Sequence, residues 1–151
     1  MDEQTPEGLF ARTTDIKNTK SRNSELQVFV SLGGWTFSDN NTATQPLFSQ
    51  IAADEDKRTK FADNLLGFMV RYGFDGVDLD WEYPGASDRG GNKDDTKNFV
   101  ALMKAIRDKF DASARVNYGL TFTIPTSYWY LRWSVSSIHG HELHPLTFYH
   151  R

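Results

Sequence analysis

The sequence predicts an α/β fold with a parallel sheet, on three observations. Three short runs of β-branched and apolar residues, 26–32, 74–80 and 117–124, each stop at a Gly or Pro signal. Between them, two longer segments repeat apolar residues at helical spacing, 61–72 and 99–110. The two patterns alternate, and strands alternating with helices of about 15 residues are the mark of βα units, whose strands lie parallel. Alternation does not choose between a closed barrel and an open sheet.

Taken in order, residues 1–25 are polar and weakly patterned, as expected of a loop with some helix. The run LQVFVSL (26–32) stops at Gly33-Gly34 and reads as a buried strand. Residues 37–53 read as loop and a short helix. Asp54-Glu55-Asp56 then supply negative charge where a helix begins. Phe61, Leu65, Phe68, Met69 and Tyr72 form one stripe of that helix, which should end at Gly73. Phe74 to Asp80 is the second strand, closed off by Pro84-Gly85. A Gly- and Asp-rich loop follows to Asp95. The next helix carries Phe99, Leu102, Met103, Ile106 and Phe110 on one side, with Arg107 and Lys109 in its last turn. NYGLTFTI (117–124) is the third strand, ended by Pro125.

The chain has 151 residues, enough for one ordinary domain with a core. Lys plus Arg is 17 and Asp plus Glu is 20, a net charge of −3, with no basic run. That balance argues against a nucleic-acid or anionic-membrane partner. There is no cysteine, which leaves the compartment undecided. The polar, acidic start Met1 to Pro6 is not expected to act as a signal peptide. No apolar run approaches the roughly 18 residues of a membrane span. Asn40-Asn41-Thr42 is a glycosylation sequon, meaningful only on export. Aromatic residues make up 14%, enough to fill a core and still leave flat rings for sugar contact.

The second strand carries the chemistry. Side chains alternate along a strand, so Asp78, Asp80 and Glu82 share one face while Val77, Leu79 and Trp81 take the other. The apolar set suits packing against helices. The acidic set lines up three carboxylates, each about 6.6 Å from the next by strand rise. Charges so placed repel, and one of them should hold a proton near neutral pH, which is what a general acid needs. Three readings fit this pattern alone: catalytic carboxylates, a divalent-cation site of the Asp-x-Asp kind, and an acidic strand end in water.

Asp75, Asp78, Asp80 and Glu82 fill the pattern Asp-x-x-Asp-x-Asp-x-Glu, and Trp81, Tyr83 and Pro84 accompany it. This resembles the signature of family 18 chitinases. One βα unit upstream, Ser31-Leu32-Gly33-Gly34-Trp35 is similar to the family's Ser-x-Gly-Gly motif. Leu120 to Trp133 resembles the fifth-strand region of fungal members related to killer-toxin subunits. The resemblance implies a partial (β/α)8 TIM barrel over about strands three to five, with the site at the C-terminal strand ends. It implies a retaining, substrate-assisted, endo-acting glycosidase for chitin or chito-oligosaccharides, exported, with no metal or organic cofactor. Glu82 would protonate the glycosidic oxygen and later activate water. Asp80 would orient the acetamido group, and Asp78, deeper, would share a proton with it. Asp75, of opposite parity, would be structural, as would Ser31. Trp35, Tyr83, Gly33 and Gly34 would face substrate, with Tyr128, Trp129 and Tyr130 further candidates along the cleft. The alternative is a carbohydrate-binding relative without turnover, against which the presence of Glu82 counts. Neither reading assigns an oligomeric state.

A complete barrel of this kind takes about 250 residues. The expectation is therefore a truncated piece, residues 1–133, inactive alone, followed by an atypical tail, 134–151, outside the fold. All four histidines, 139, 141, 144 and 150, sit in that tail. His139, His141, Glu142 and His144 could be read as metal ligands, but an out-of-frame or intron-read ending explains them more simply. Sequencing the transcript across Trp133 tests that: a mature message encoding the tail as written would sink the idea.

Overall fold

In the computed structural model, the structure describes residues 5–16, 25–113, 117–134 and 147–150. Helix α1 (Pro6–Asp15) starts at Thr5, whose hydroxyl accepts the Gly8 N–H, with Pro6 at a position where no N–H is needed. Strand β1 is Phe29–Gly33. A 3-10 turn (Trp35–Ser38) and helix α2 (Leu47–Ala53) lead into α3 (Glu55–Tyr72). Asp54 caps α3 by accepting the Lys57 N–H at 3.0 Å, and Gly73 ends it in the left-handed conformation. Strand β2 is Gly76–Asp80. A second 3-10 turn (Ser87–Arg89) precedes α4 (Asp95–Ala112). Strand β3 (Gly119–Ile124), helix α5 (Tyr128–Ser134) and strand β4 (Thr147–His150) complete the order.

The four strands run parallel in the order β1-β2-β3-β4. Pairing is in phase, so Ser31, Asp78 and Thr121 stand side by side across three strands. On one face Val77, Leu79, Trp81, Leu120 and Phe122 are buried against Leu65 and Met69 of α3 and Leu102, Met103, Ile106 and Phe110 of α4. Trp81 stacks on Phe48 of α2 and meets Phe99 of α4 edge-on. Helix α1 joins through Phe10, which packs on Phe68, Tyr72 and Phe74, and through the Thr14 hydroxyl, which donates to the Tyr72 carbonyl at 2.6 Å.

The opposite face is layered. Gly76 and Gly119 leave a slot in which the Phe29 ring lies; a Cβ on Gly76 would stand 2.5 Å from it. Ser31, Asp78 and Thr121 form the next layer, and Gly33 with Asp80 the layer at the C-terminal strand ends.

Two sequence expectations are corrected. The sheet has four strands, not three, and the tail 134–151 does not lie wholly outside the fold. Ser134 ends α5, and Thr147–His150 pairs with β3 from Thr121↔Thr147 to Ile124↔His150. A run of four residues, three of them β-formers, is too short to show a period, yet it satisfies backbone groups along the edge of β3. His139, His141, Glu142 and His144 lie outside the described residues, and with them any metal reading of the tail. Among the described residues no cluster of three or more His, Asp or Glu could hold a metal, and no helix is long and apolar enough to cross a membrane.

Candidate active site

The sheet register brings the carboxylates together. Asp78 sits mid-strand, and each of its oxygens is held from a neighbouring strand: the Ser31 hydroxyl donates at 2.9 Å and the buried Thr121 hydroxyl at 2.7 Å. Asp80 is 5% exposed and lies one residue pair further toward the strand ends. Glu82 follows immediately after β2, half-buried, its carboxyl hydrogen-bonded with the Asp80 carboxyl and accepting from the Tyr83 phenol. Burial, and then the Asp80 charge, raise the Glu82 carboxyl above its ordinary range. The Tyr83 hydroxyl and the more distant Arg89 guanidinium pull in the opposite direction and do not cancel them. The close pair on the acidic face is thus Asp80–Glu82, while the hydrogen bonds on Asp78 come from hydroxyls.

Asp75 faces away from this group. Its carboxylate accepts the Val28 N–H at 2.7 Å, and its backbone N–H donates to the Val28 carbonyl, which ties the start of β1 to β2. Gly33 does not open onto free space. With φ at +114°, its missing side chain makes room for the Asp80 carbonyl and the Phe48 ring. Gly34 donates its N–H to that same carbonyl at 2.8 Å, and a Cβ there would lie 3.7 Å from the Asp80 carboxylate. The pair of glycines therefore grips the end of β2, and of the two only Gly34 borders a carboxylate oxygen.

Trp35, in the turn after β1, is 49% exposed, with the Arg89 guanidinium over its ring at 3.8 Å. Tyr83, joined to Glu82 by a cis peptide bond, packs its ring against Tyr130 of α5 at 4.8 Å. Its phenol is pushed up to about 12 by burial and the adjacent Glu82 charge. Tyr128 and Trp129 are exposed beside it on α5. The Tyr130 hydroxyl donates to Asp88 at 2.8 Å, and Asn40, the sequon residue, donates its amide to the Asp88 carbonyl.

Three residues of the site's frame escaped the sequence reading. Thr121 becomes visible only once the β2–β3 register is known. Arg89, 8% exposed, donates Nε–H to the Glu82 carbonyl at 3.2 Å, pairs with Asp39 at 2.7 Å and also donates to the Trp35 carbonyl. Asp95, 1% exposed, accepts from the Ser49 hydroxyl and the Asn92 N–H, each at 2.6 Å, and so closes the loop that carries Tyr83. A lone Arg and a lone Asp in a Gly-rich loop give no periodic signal.

A parallel α/β sheet that ends in paired carboxylates, one with a raised proton affinity, marks the C-terminal strand ends as a candidate active site. The profile of glycosyl hydrolases family 18 matches residues 1–143, and the chain belongs to that family. It is 37% identical over 112 residues to chitinase A1 of Niallia circulans, covering 72% of this chain and 15% of that protein. It is 35% identical over 130 residues to the killer toxin subunits alpha/beta of Kluyveromyces lactis, covering 83% of this chain and 10% of that protein. The solved structure of a cell-surface-expressed, multi-modular chitinase from a Paenibacillus species superposes with a TM-score of 0.70 at 33% identity, over 87% of this chain and 15% of that one. The chain thus spans a small part of these relatives, and its parallel α/β sheet is consistent with part of the family's barrel.

Proposed function

We propose that this segment carries the acid of a chitinase that hydrolyses β-1,4-linked N-acetylglucosamine polymers with retention, the acetamido group of the sugar acting as nucleophile. The observation that carries the reading is Glu82. It stands at a C-terminal strand end, beside Asp80, with its proton affinity raised by burial and by that neighbour's charge. In this reading Glu82 gives its proton to the glycosidic oxygen and then deprotonates the incoming water. Asp80 accepts the acetamido N–H, turns the carbonyl oxygen toward the anomeric carbon and offsets the positive charge of the cyclic intermediate. Asp78, deeper and fixed by two hydroxyls, sets the charge that Asp80 carries. Trp35 and Tyr83 supply ring faces for the sugar, with Gly34 bordering the acetamido site and Tyr128, Trp129 and Tyr130 further along the cleft.

The four strands correspond in this reading to an arc of a (β/α)8 barrel beginning at strand three, of an exported, endo-acting enzyme. The arc alone leaves the acidic face open to water, where the carboxylates lose most of their electrostatic advantage, so the isolated chain is proposed to be inactive. The test replaces the matched 112-residue segment of the Niallia circulans chitinase A1 with the corresponding part of this chain. A folded chimera should cleave chitotetraose, release the β-anomer as seen by NMR, and lose activity on Glu82→Gln. A folded chimera without activity, or cleavage that survives Glu82→Gln, overturns the assignment. Turnover by the 151-residue chain alone overturns only the claim of inactivity.

A further inference from the structure

Arg89 is a charged side chain near the site with several partners, and the proposed chemistry does not use it. It is nearly buried, yet it sits under a tryptophan that is half-exposed. Its guanidinium lies over the Trp35 ring at 3.8 Å, within cation–π range. Its nitrogens also reach three groups: the Trp35 carbonyl, the Asp39 carboxylate at 2.7 Å, and the Glu82 carbonyl at 3.2 Å. The first two belong to the turn after β1 and the third to the end of β2.

A planar fork with five donors can hold groups on two segments at fixed angles, which an ammonium cannot. An Arg that merely filled a gap between loops would cover the indole with protein. Here one ring face rests on a buried cation while the residue keeps 49% of its surface exposed. A large ring held out in water gains by being covered, and a ring already fixed in orientation avoids the ordering cost when a ligand arrives.

We propose that Arg89 is a positioning residue, which sets the Trp35 ring as a one-faced sugar platform and fixes it relative to the backbone of Glu82. The proposal rests on the chitinase reading for the nature of the ligand, but the bracing itself does not. It makes the distance between the aromatic platform and the proton donor a property of one side chain. Asp39 is its outer anchor. Asp88, the neighbouring acid, is instead engaged by Tyr130 and Asn40.

The test uses the 151-residue chain labelled with 5-fluorotryptophan, whose four 19F resonances are assigned by single Trp→Phe variants. Without sugar, Arg89→Met should shift and broaden the Trp35 resonance and leave that of buried Trp81 in place, which also reports that the sheet is intact. Arg89→Lys, which keeps the charge and loses the fork, should behave like Arg89→Met. Asp39→Asn should give a smaller displacement of the same resonance, and it decides the question if Arg89→Met fails to fold. Chitotetraose should move the Trp35 resonance of the wild type, with an apparent affinity weakened between about threefold and tenfold in Arg89→Lys. A Trp35 resonance unchanged in Arg89→Met, or full rescue by Lys, overturns the bracing role. A wild-type Trp35 resonance that moves between variants but ignores chitotetraose overturns the sugar platform and leaves the brace standing.

Discussion

Replacing Gly33 by Ala asks whether the end of β2 is held by contact or by backbone conformation alone. The new Cβ would stand 2.9 Å from the Phe48 ring and 3.0 Å from the Asp80 carbonyl carbon, with the carbonyl oxygen nearer still. A residue with a side chain at φ +114° is strained by about 1–3 kcal/mol. Overpacking against the ring adds roughly 1–3 kcal/mol, and loss of the Gly34 to Asp80 hydrogen bond about 1 kcal/mol. The sum, about 3–7 kcal/mol, is a large part of the stability of an ordinary domain. Gly34→Ala supplies the comparison, because φ there is +98° but its Cβ would meet nothing closer than 3.7 Å. Only the backbone strain applies, about 1–3 kcal/mol. Gly67, inside α3 with nothing within 4 Å of an added Cβ, gives the opposite sign: Ala there should stabilise by about 0.5–1 kcal/mol. Urea unfolding followed by circular dichroism, with m-values compared, measures all three. If Gly33→Ala and Gly34→Ala cost the same, the Asp80 carbonyl is not what excludes a side chain, and the contact argument falls.

Three further outcomes follow from the same geometry. Because the Glu82 carboxyl binds its proton more tightly folded than unfolded, the folded chain holds more protons above pH 4.5, and stability falls as pH rises from there through the raised value. Glu82→Gln should therefore gain melting temperature over wild type as pH rises through that window and match it below; a flat difference contradicts the raised affinity. Tyr83, with its phenol near 12, should remain protonated when the exposed tyrosines ionise, so ultraviolet titration should lose a late step in Tyr83→Phe. Asp95→Ala removes the acceptor for two short hydrogen bonds at a buried site and should cost about 3–5 kcal/mol; a loss below about 1 kcal/mol in urea unfolding would show the loop closed by other means.

The sequence exposed what depends on period and punctuation. Helix α3 runs from its Asp54 cap to Gly73 because both signals act locally, and β2 buries Val77, Leu79 and Trp81 because alternation is fixed by backbone geometry. The opposite placement of Asp75 follows from the same parity. Features that need a register were hidden: Thr121 joins Asp78 only when β3 is aligned in phase with β2. So were features made by long-range contact, since Arg89 finds Trp35 across 54 positions of chain. The carboxyl spacing differs as well. Strand rise separates backbones, but the side chains of Asp80 and Glu82 lean together into a hydrogen bond. Strand β4 is legible only through the unpaired edge it covers.

The row Ser31–Asp78–Thr121 has a consequence for folding. Its two hydroxyl–carboxylate bonds form only when three strands are in phase. A slip of β2 by one residue would turn Asp78 and Asp80 toward Leu102, Met103 and Ile106 of α4, and turn Val77 and Leu79 out toward water. The two aspartates thus penalise a misaligned sheet, since a slip would bury their charges among apolar side chains. A variant that lost them would risk its alignment along with its chemistry.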